Sequence, residues 1–119
     1  MNIEEIREYC LALEDTEEGF PFDETTLVFK VHGKIFALLS LDEHRINLKC
    51  EPGLAVQLRE QFEEVLPGYH MSKKHWNTVV LNGMIPTPVI REWIDHSYQM
   101  VCSSRSGKRK NLNSKSRKS

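Results

Sequence analysis

The chain has 119 residues, 39% of them hydrophobic and 28% charged, with a net charge of −1. One domain of this length can bury a core without disulfides or metal, and no stretch approaches the ~18 continuous apolar residues of a membrane span. The near-neutral total hides a division: seven of the sixteen basic residues lie in 103–119, which holds no acid, so the rest of the chain sets nine bases against seventeen acids, a balance of −8.

The N-terminus opens with acids and lacks the basic and then apolar pattern of a signal peptide. Asn2 and Glu5 have the spacing of a capping box, and Ile3, Ile6, Cys10 and Leu13 then recur at helical spacing, predicting a helix over about Ile3 to Leu13. Gly19-Phe20-Pro21-Phe22-Asp23 breaks it and starts a loop, with Phe20-Pro21-Phe22 expected to clamp the edge of the core.

Thr26 to Val31 is β-branched and aromatic, His32-Gly33-Lys34 is a turn, and Ile35 to Leu41 is an apolar central strand. Asp42-Glu43-His44 turns again, and Arg45 to Cys50 alternates, completing an antiparallel meander. Pro52 opens a second helix whose stripe is Leu54, Leu58, Phe62 and Val65, ended by Pro67-Gly68. Trp76 to Leu81 is a further strand, and Thr87-Pro88 starts a last helix running to about Val101.

The order α-β-β-β-α-β(β)-α predicts an α+β domain of two layers over 1–102, an antiparallel sheet with its helices on one face. Residues 103–119, rich in Ser, Lys, Arg and Asn, are expected to form a disordered basic tail.

Strand alternation sorts the side chains. Leu27, Phe29, Val31, Ile46, Leu48, Val79 and Leu81 point to the helices. Lys30, Arg45, Asn47, Lys49 and Trp76 then share the open face, with Lys73 and Lys74 at its edge. A one-residue slip would reverse this assignment.

Phe20-Pro21-Phe22 before a strand, Lys30 in that strand, Pro67-Gly68-Tyr69-His70-Met71 and Lys73-Lys74-His75-Trp76-Asn77 together resemble the MmcQ/YjbR family of small bacterial proteins. The resemblance covers about Met1 to Cys102. It implies a two-layer fold like that of type III secretion chaperones and CyaY-like domains, which agrees with the element order. It also implies DNA binding, through likeness to a "double wing" module of a phage transcription factor. The basic tail lies outside the family pattern.

The first functional expectation is therefore a non-enzymatic, DNA-binding protein that uses Lys30, Arg45, Asn47, Lys49, Lys73, Lys74, His75, Trp76 and Asn77. Lysines neutralise phosphate, Trp76 stacks or wedges, and the tail adds affinity without sequence preference. Trp76 also admits a packing role beside the last helix. The alternative is a protein-binding adaptor or chaperone-like module on the same face or on the acidic first helix. A third reading is a small-molecule pocket near Tyr69, His70 and His75.

No catalytic group, metal or cofactor is expected. His70 and His75 stand five apart, and no Cys or His pair has zinc spacing. Cys50 beside Glu51 reads as a buried structural thiol. Three separated cysteines fit the reduced thiols of a cytoplasmic protein, expected to be a monomer with no membrane contact.

Overall fold

Asn2 begins the fold with a complete capping box: its side chain accepts from the Glu5 N–H at 2.8 Å, and the Glu5 carboxylate accepts from the Asn2 N–H at 2.9 Å. Two of the orphan donors of the first turn are thereby satisfied, and helix α1 runs Ile3–Ala12 with Ile6 and Cys10 buried. This is a computed structural model, which describes residues 1–68 and 71–107, the last four by backbone only.

The remaining elements are β1 (Thr16–Gly19), β2 (Thr26–Val31), β3 (Lys34–Ser40), β4 (Arg45–Lys49), α2 (Pro52–Gln61), β5 (Val65–Pro67), β6 (Trp76–Val80) and α3 (Thr87–Gly107). The strands form one six-stranded antiparallel sheet in the order β1-β2-β3-β4-β6-β5. The three helices cover one face and bury Leu27, Phe29, Leu39, Ile46, Leu48 and Val79 beneath Ile6, Ala55, Ile90 and Ile94. The α+β class and the two layers expected from the sequence are those observed. No helix among the described residues is long and apolar enough to cross a membrane.

Two strands were not foreseen. Thr16–Gly19 pairs with β2 as an edge strand, in a stretch between the first helix and the Gly19 loop to which no element was assigned. Val65–Pro67 pairs with β6 as the other edge, where Val65 had been assigned to the second helix. That helix stops at Gln61, because Phe62 leaves helical geometry at φ −125, ψ 123. The last helix continues past Val101 to Gly107, into the stretch assigned to the tail. Residues 108–119 lie outside the described residues.

The β2–β3 turn is a two-residue hairpin. His32 and Gly33 both have positive φ, 53° and 78°, the geometry that matches the twist of the flanking strands. Next to it the register breaks: Phe29 pairs with Ala37 but Lys30 with Ile35, leaving Phe36 as an extra residue. Such a bulge turns two successive side chains to one side, and both Phe36 and Ala37 are fully buried under the helices. Phe36 meets Tyr98 of α3 edge-on at 5.2 Å.

Ser97 of α3 mends the ladder at the bulge. Its hydroxyl donates to the Phe36 carbonyl at 2.6 Å and accepts the Lys49 N–H at 2.8 Å. Tyr9 ties α1 to the same helix, its hydroxyl donating to the Asp95 carboxylate at 2.7 Å, with Arg91 5.4 Å above its ring.

Candidate nucleic-acid interface

Residues directly opposite each other in neighbouring strands share a face. The registers therefore lay out the open side of the sheet in three rows. The middle row is Gly19, Val28, Leu38, Asn47, Thr78 and Leu66, and the upper row is Thr26, Ser40, Arg45 and Val80. Below them lie two shorter sets, Glu17, Lys30 and Ile35 on one side of the bulge and Lys49 with Trp76 on the other, together the lower row, since the β3–β4 pairing ends at Ala37 and Leu48. Lys30, Arg45, Asn47, Lys49 and Trp76 thus stand together on the face that alternation assigned to them. Trp76 lies opposite Lys49, on the side of the sheet away from α3. The tryptophan that packs inside the helix layer is Trp93, edge-on to Phe62 at 5.1 Å.

Lys73, Lys74 and His75 are exposed in the segment leading into β6. Arg59 of α2 holds that segment. Its Nη2 donates to the Lys73 carbonyl and, at 3.5 Å, to the Trp76 carbonyl, while its Nε donates to Asn77 Oδ1 at 2.7 Å. The His75 carbonyl accepts the Cys50 N–H at 2.7 Å, continuing the β4–β6 ladder. Gly68 lets the chain pass close to β6: a Cβ there would lie 2.7 Å from the Trp76 Cβ and 2.9 Å from the Trp76 carbonyl oxygen.

Asn77 is not part of this surface. It is only 3% exposed and faces the helices opposite Leu48. Its amide donates to the Ala55 carbonyl at 3.3 Å and its oxygen accepts from Arg59, so it is a structural strut. Asn47 does face outward, but its Oδ1 already accepts from the Thr78 hydroxyl. Tyr69 and His70 lie outside the described residues.

Two features that sequence reasoning missed change the electrostatics. The unforeseen β1 sets Glu17 directly opposite Lys30. At the upper end, Asp23, Asp42 and Glu43 gather around the ends of β2 and β3. The backbone N–H groups of Thr25 and Thr26 hold the Asp23 carboxyl below its usual range. Asp42 accepts from the Ser40 hydroxyl at 3.0 Å. The open face is therefore basic along its lower row and acidic at its upper rim, with Arg45 the cation of the upper row.

Phe20-Pro21-Phe22 does not clamp the core. Phe20 and Phe22 are 50% and 65% exposed. Instead the segment rises as a wall over the open face. Phe22 on one side and Met71 on the other bound a groove of about 550 Å³ floored by Ile35, Leu38 and Asn47. Nothing in the amino-acid pattern marks this groove, because its walls come from two loops distant in sequence.

Cys50 is buried, and its thiol is pushed up to about 11, first by burial and then by Glu51. Such a thiol is a poor nucleophile at neutral pH. Among the described residues no group of three or more His, Cys, Asp or Glu is placed to hold a metal ion.

A family model described as YjbR matches residues 11–100. YjbR of Escherichia coli (strain K12) is 37% identical over 103 residues, 85% of this chain and 87% of that protein. YyaQ of Bacillus subtilis is 41% identical over 67 residues, 53% and 56% of the two chains. Among solved structures, DR2400 of Deinococcus radiodurans superposes with a TM-score of 0.82 at 34% identity, covering 92% of this chain and 83% of its own. A Pseudomonas syringae protein does so with a TM-score of 0.75 at 30% identity, covering 85% and 99%.

Proposed function

We propose that this chain, which belongs to the YjbR family, is a non-enzymatic binding protein that takes up nucleic acid on the lower part of its open sheet face. One observation carries the reading: Lys30, Lys49 and Trp76 all stand on the lower part of the open face, Lys49 directly opposite Trp76 and Lys30 across the bulged β3, beside the exposed Lys73 and Lys74. Lysines so placed exchange condensed counterions for phosphate, and an indole on an open sheet offers a stacking surface.

The contact area is the lower row and not the whole face, since the acids of the upper rim oppose a polyanion. In the chain shortened after Gly107, four lysines facing phosphate give a slope of log K against log salt of about −3 to −4 on duplex DNA, which the tail's cations steepen in the full chain. The test is a fluorescence-anisotropy titration of labelled duplex DNA at about 50 and about 200 mM salt, where such a slope means roughly a hundredfold change in affinity. Lys73→Ala with Lys74→Ala should remove about half the slope. The chain shortened after Gly107, which keeps every described element, should still bind at low salt. If it does not, the tail alone holds DNA and the proposed interface fails. The alternative, a protein-binding module, draws its support from the groove beside this row.

A further inference from the structure

We infer that the upper and central part of the open face is a second binding site, built for an extended protein segment that presents an apolar side chain between two lysines or arginines. The site is the groove between Phe22 and Met71, floored by Ile35 and Leu38 and rimmed by Asp23, Asp42 and Glu43. Its volume of about 550 Å³ falls in the range of sites that enclose a ligand.

Its chemistry is opposite to that of the lower row. The floor is apolar where no helix covers the sheet: Leu38 is only 8% exposed because the flanking loops shelter it, while Phe22, at the mouth, is 65% exposed. A ring left in water at the rim of an apolar cleft gains by covering an incoming aliphatic group.

Three carboxylates stand at one end of the cleft. Among the described residues no cation approaches them to ion-pair distance; the ion pair present is Arg7 with Glu18, on the other side of the sheet. Arg45 lies in the neighbouring upper row, opposite Ser40, and set against these three acids leaves a balance of two negative charges. The carboxylates come from two chain segments, Asp23 ahead of β2 and Asp42 with Glu43 after β3. A small amine satisfies one of them, whereas a chain with basic side chains on both sides of an apolar residue meets both segments and fills the floor. Nucleic acid is excluded by the same charges. The site is thus independent of the nucleic-acid reading, and its failure would leave that reading standing.

The test uses the full chain, labelled with ¹⁵N, and the peptide Ac-Ser-Lys-Leu-Lys-Ser-NH₂ in a heteronuclear NMR titration. Saturable shifts should centre on Leu38, Ser40 and Asn47. Affinity should fall several-fold, up to about tenfold, in Asp42→Asn with Glu43→Gln, which removes two exposed ion pairs. It should fall as well in Phe22→Ala, an exposed position whose loss leaves the core intact, and persist in Lys73→Ala with Lys74→Ala.

Three outcomes overturn the inference. In one, no saturable shift occurs. In another, Ac-Ser-Glu-Leu-Glu-Ser-NH₂ or Ac-Ser-Lys-Ser-Lys-Ser-NH₂ produces the same shifts, which would mean apolar or charge attraction alone. In the third, the response is indifferent to Phe22→Ala.

Discussion

Replacing Ser97 with alanine tests how the bulge is held. The Ser97 side chain is fully buried, and its hydroxyl makes two bonds, donating to the Phe36 carbonyl and accepting from the Lys49 N–H. Alanine fits the space and favours the helix by roughly 0.5 kcal/mol, so the packing change is small. What changes is that two backbone groups lose their partner. A buried orphan costs about 1–3 kcal/mol. The Phe36 carbonyl is buried, whereas the Lys49 N–H is part-buried and gains some access to water. The expected net loss is about 2–3 kcal/mol, a fall in melting temperature on the order of 10 °C for a domain of this size. Urea unfolding followed by tryptophan fluorescence measures it, and amide exchange at Lys49 localises it. The second readout matters because Lys49 belongs to the lower row, and slackening β4 there should weaken nucleic-acid binding beyond the stability change. A loss below about 1 kcal/mol, with Lys49 exchange unaltered, would mean that the bulge is held by pairing and packing alone.

Gly68→Ala should cost more than an ordinary loop substitution, because the added methyl meets the Cβ and backbone of Trp76 at 2.7–2.9 Å; a loss above about 2 kcal/mol in urea unfolding is expected. Asn77→Ala removes the acceptor of Arg59 Nε and the donor to the Ala55 carbonyl. It should destabilise by about 1–3 kcal/mol and, by loosening the Lys73 segment, reduce the salt slope of DNA binding; an unchanged slope would separate Arg59 from the lysines it holds. Tyr9 and Tyr98 are each pushed up to about 12, chiefly by burial, Tyr9 with added contributions from Asp95 and Tyr98 from Cys102. Between pH ~10 and 12 the folded chain keeps phenol protons that the unfolded chain has lost, so stability should fall as pH rises through that window. Absorbance at 295 nm should show both rings ionising late, and ionisation near pH 10 would refute their burial.

The sheet face was legible because strand periodicity is short and strict. Arg45, Asn47 and Lys49 alternate with Ile46, Leu48 and Cys50, so one correct register places all three. The helix caps were legible for a similar reason, since Asn2 with Glu5 and Pro52 act within a single turn. β1 was not, because Thr16-Glu17-Glu18-Gly19 has no apolar alternation. It becomes a strand only by pairing with β2 and lying under Arg7, whose guanidinium holds Glu18. β5 was hidden in a helical stripe for want of length. The bulge at Phe36, the Arg59 strut and the groove between Phe22 and Met71 depend on contacts between residues far apart in the chain. No local pattern encodes them, and Asn77 shows the converse: its neighbours Trp76 and Thr78 stand on the open side of the sheet, yet one step along β6 turns Asn77 to the helices.

The two ends of the sheet order differ in a way that bears on assembly. β5 is three residues long and ends in Pro67, a residue with no amide to offer a neighbour, so further strands cannot be added at that margin. At the opposite margin β1 presents Glu17 and Glu18 on four residues that close with Gly19. A second copy bringing its own β1 there would set like charges side by side. The molecule therefore resists stacking into continuous sheets from either side, and a foreign strand joining at β1 gains by bringing positive charge opposite Glu17.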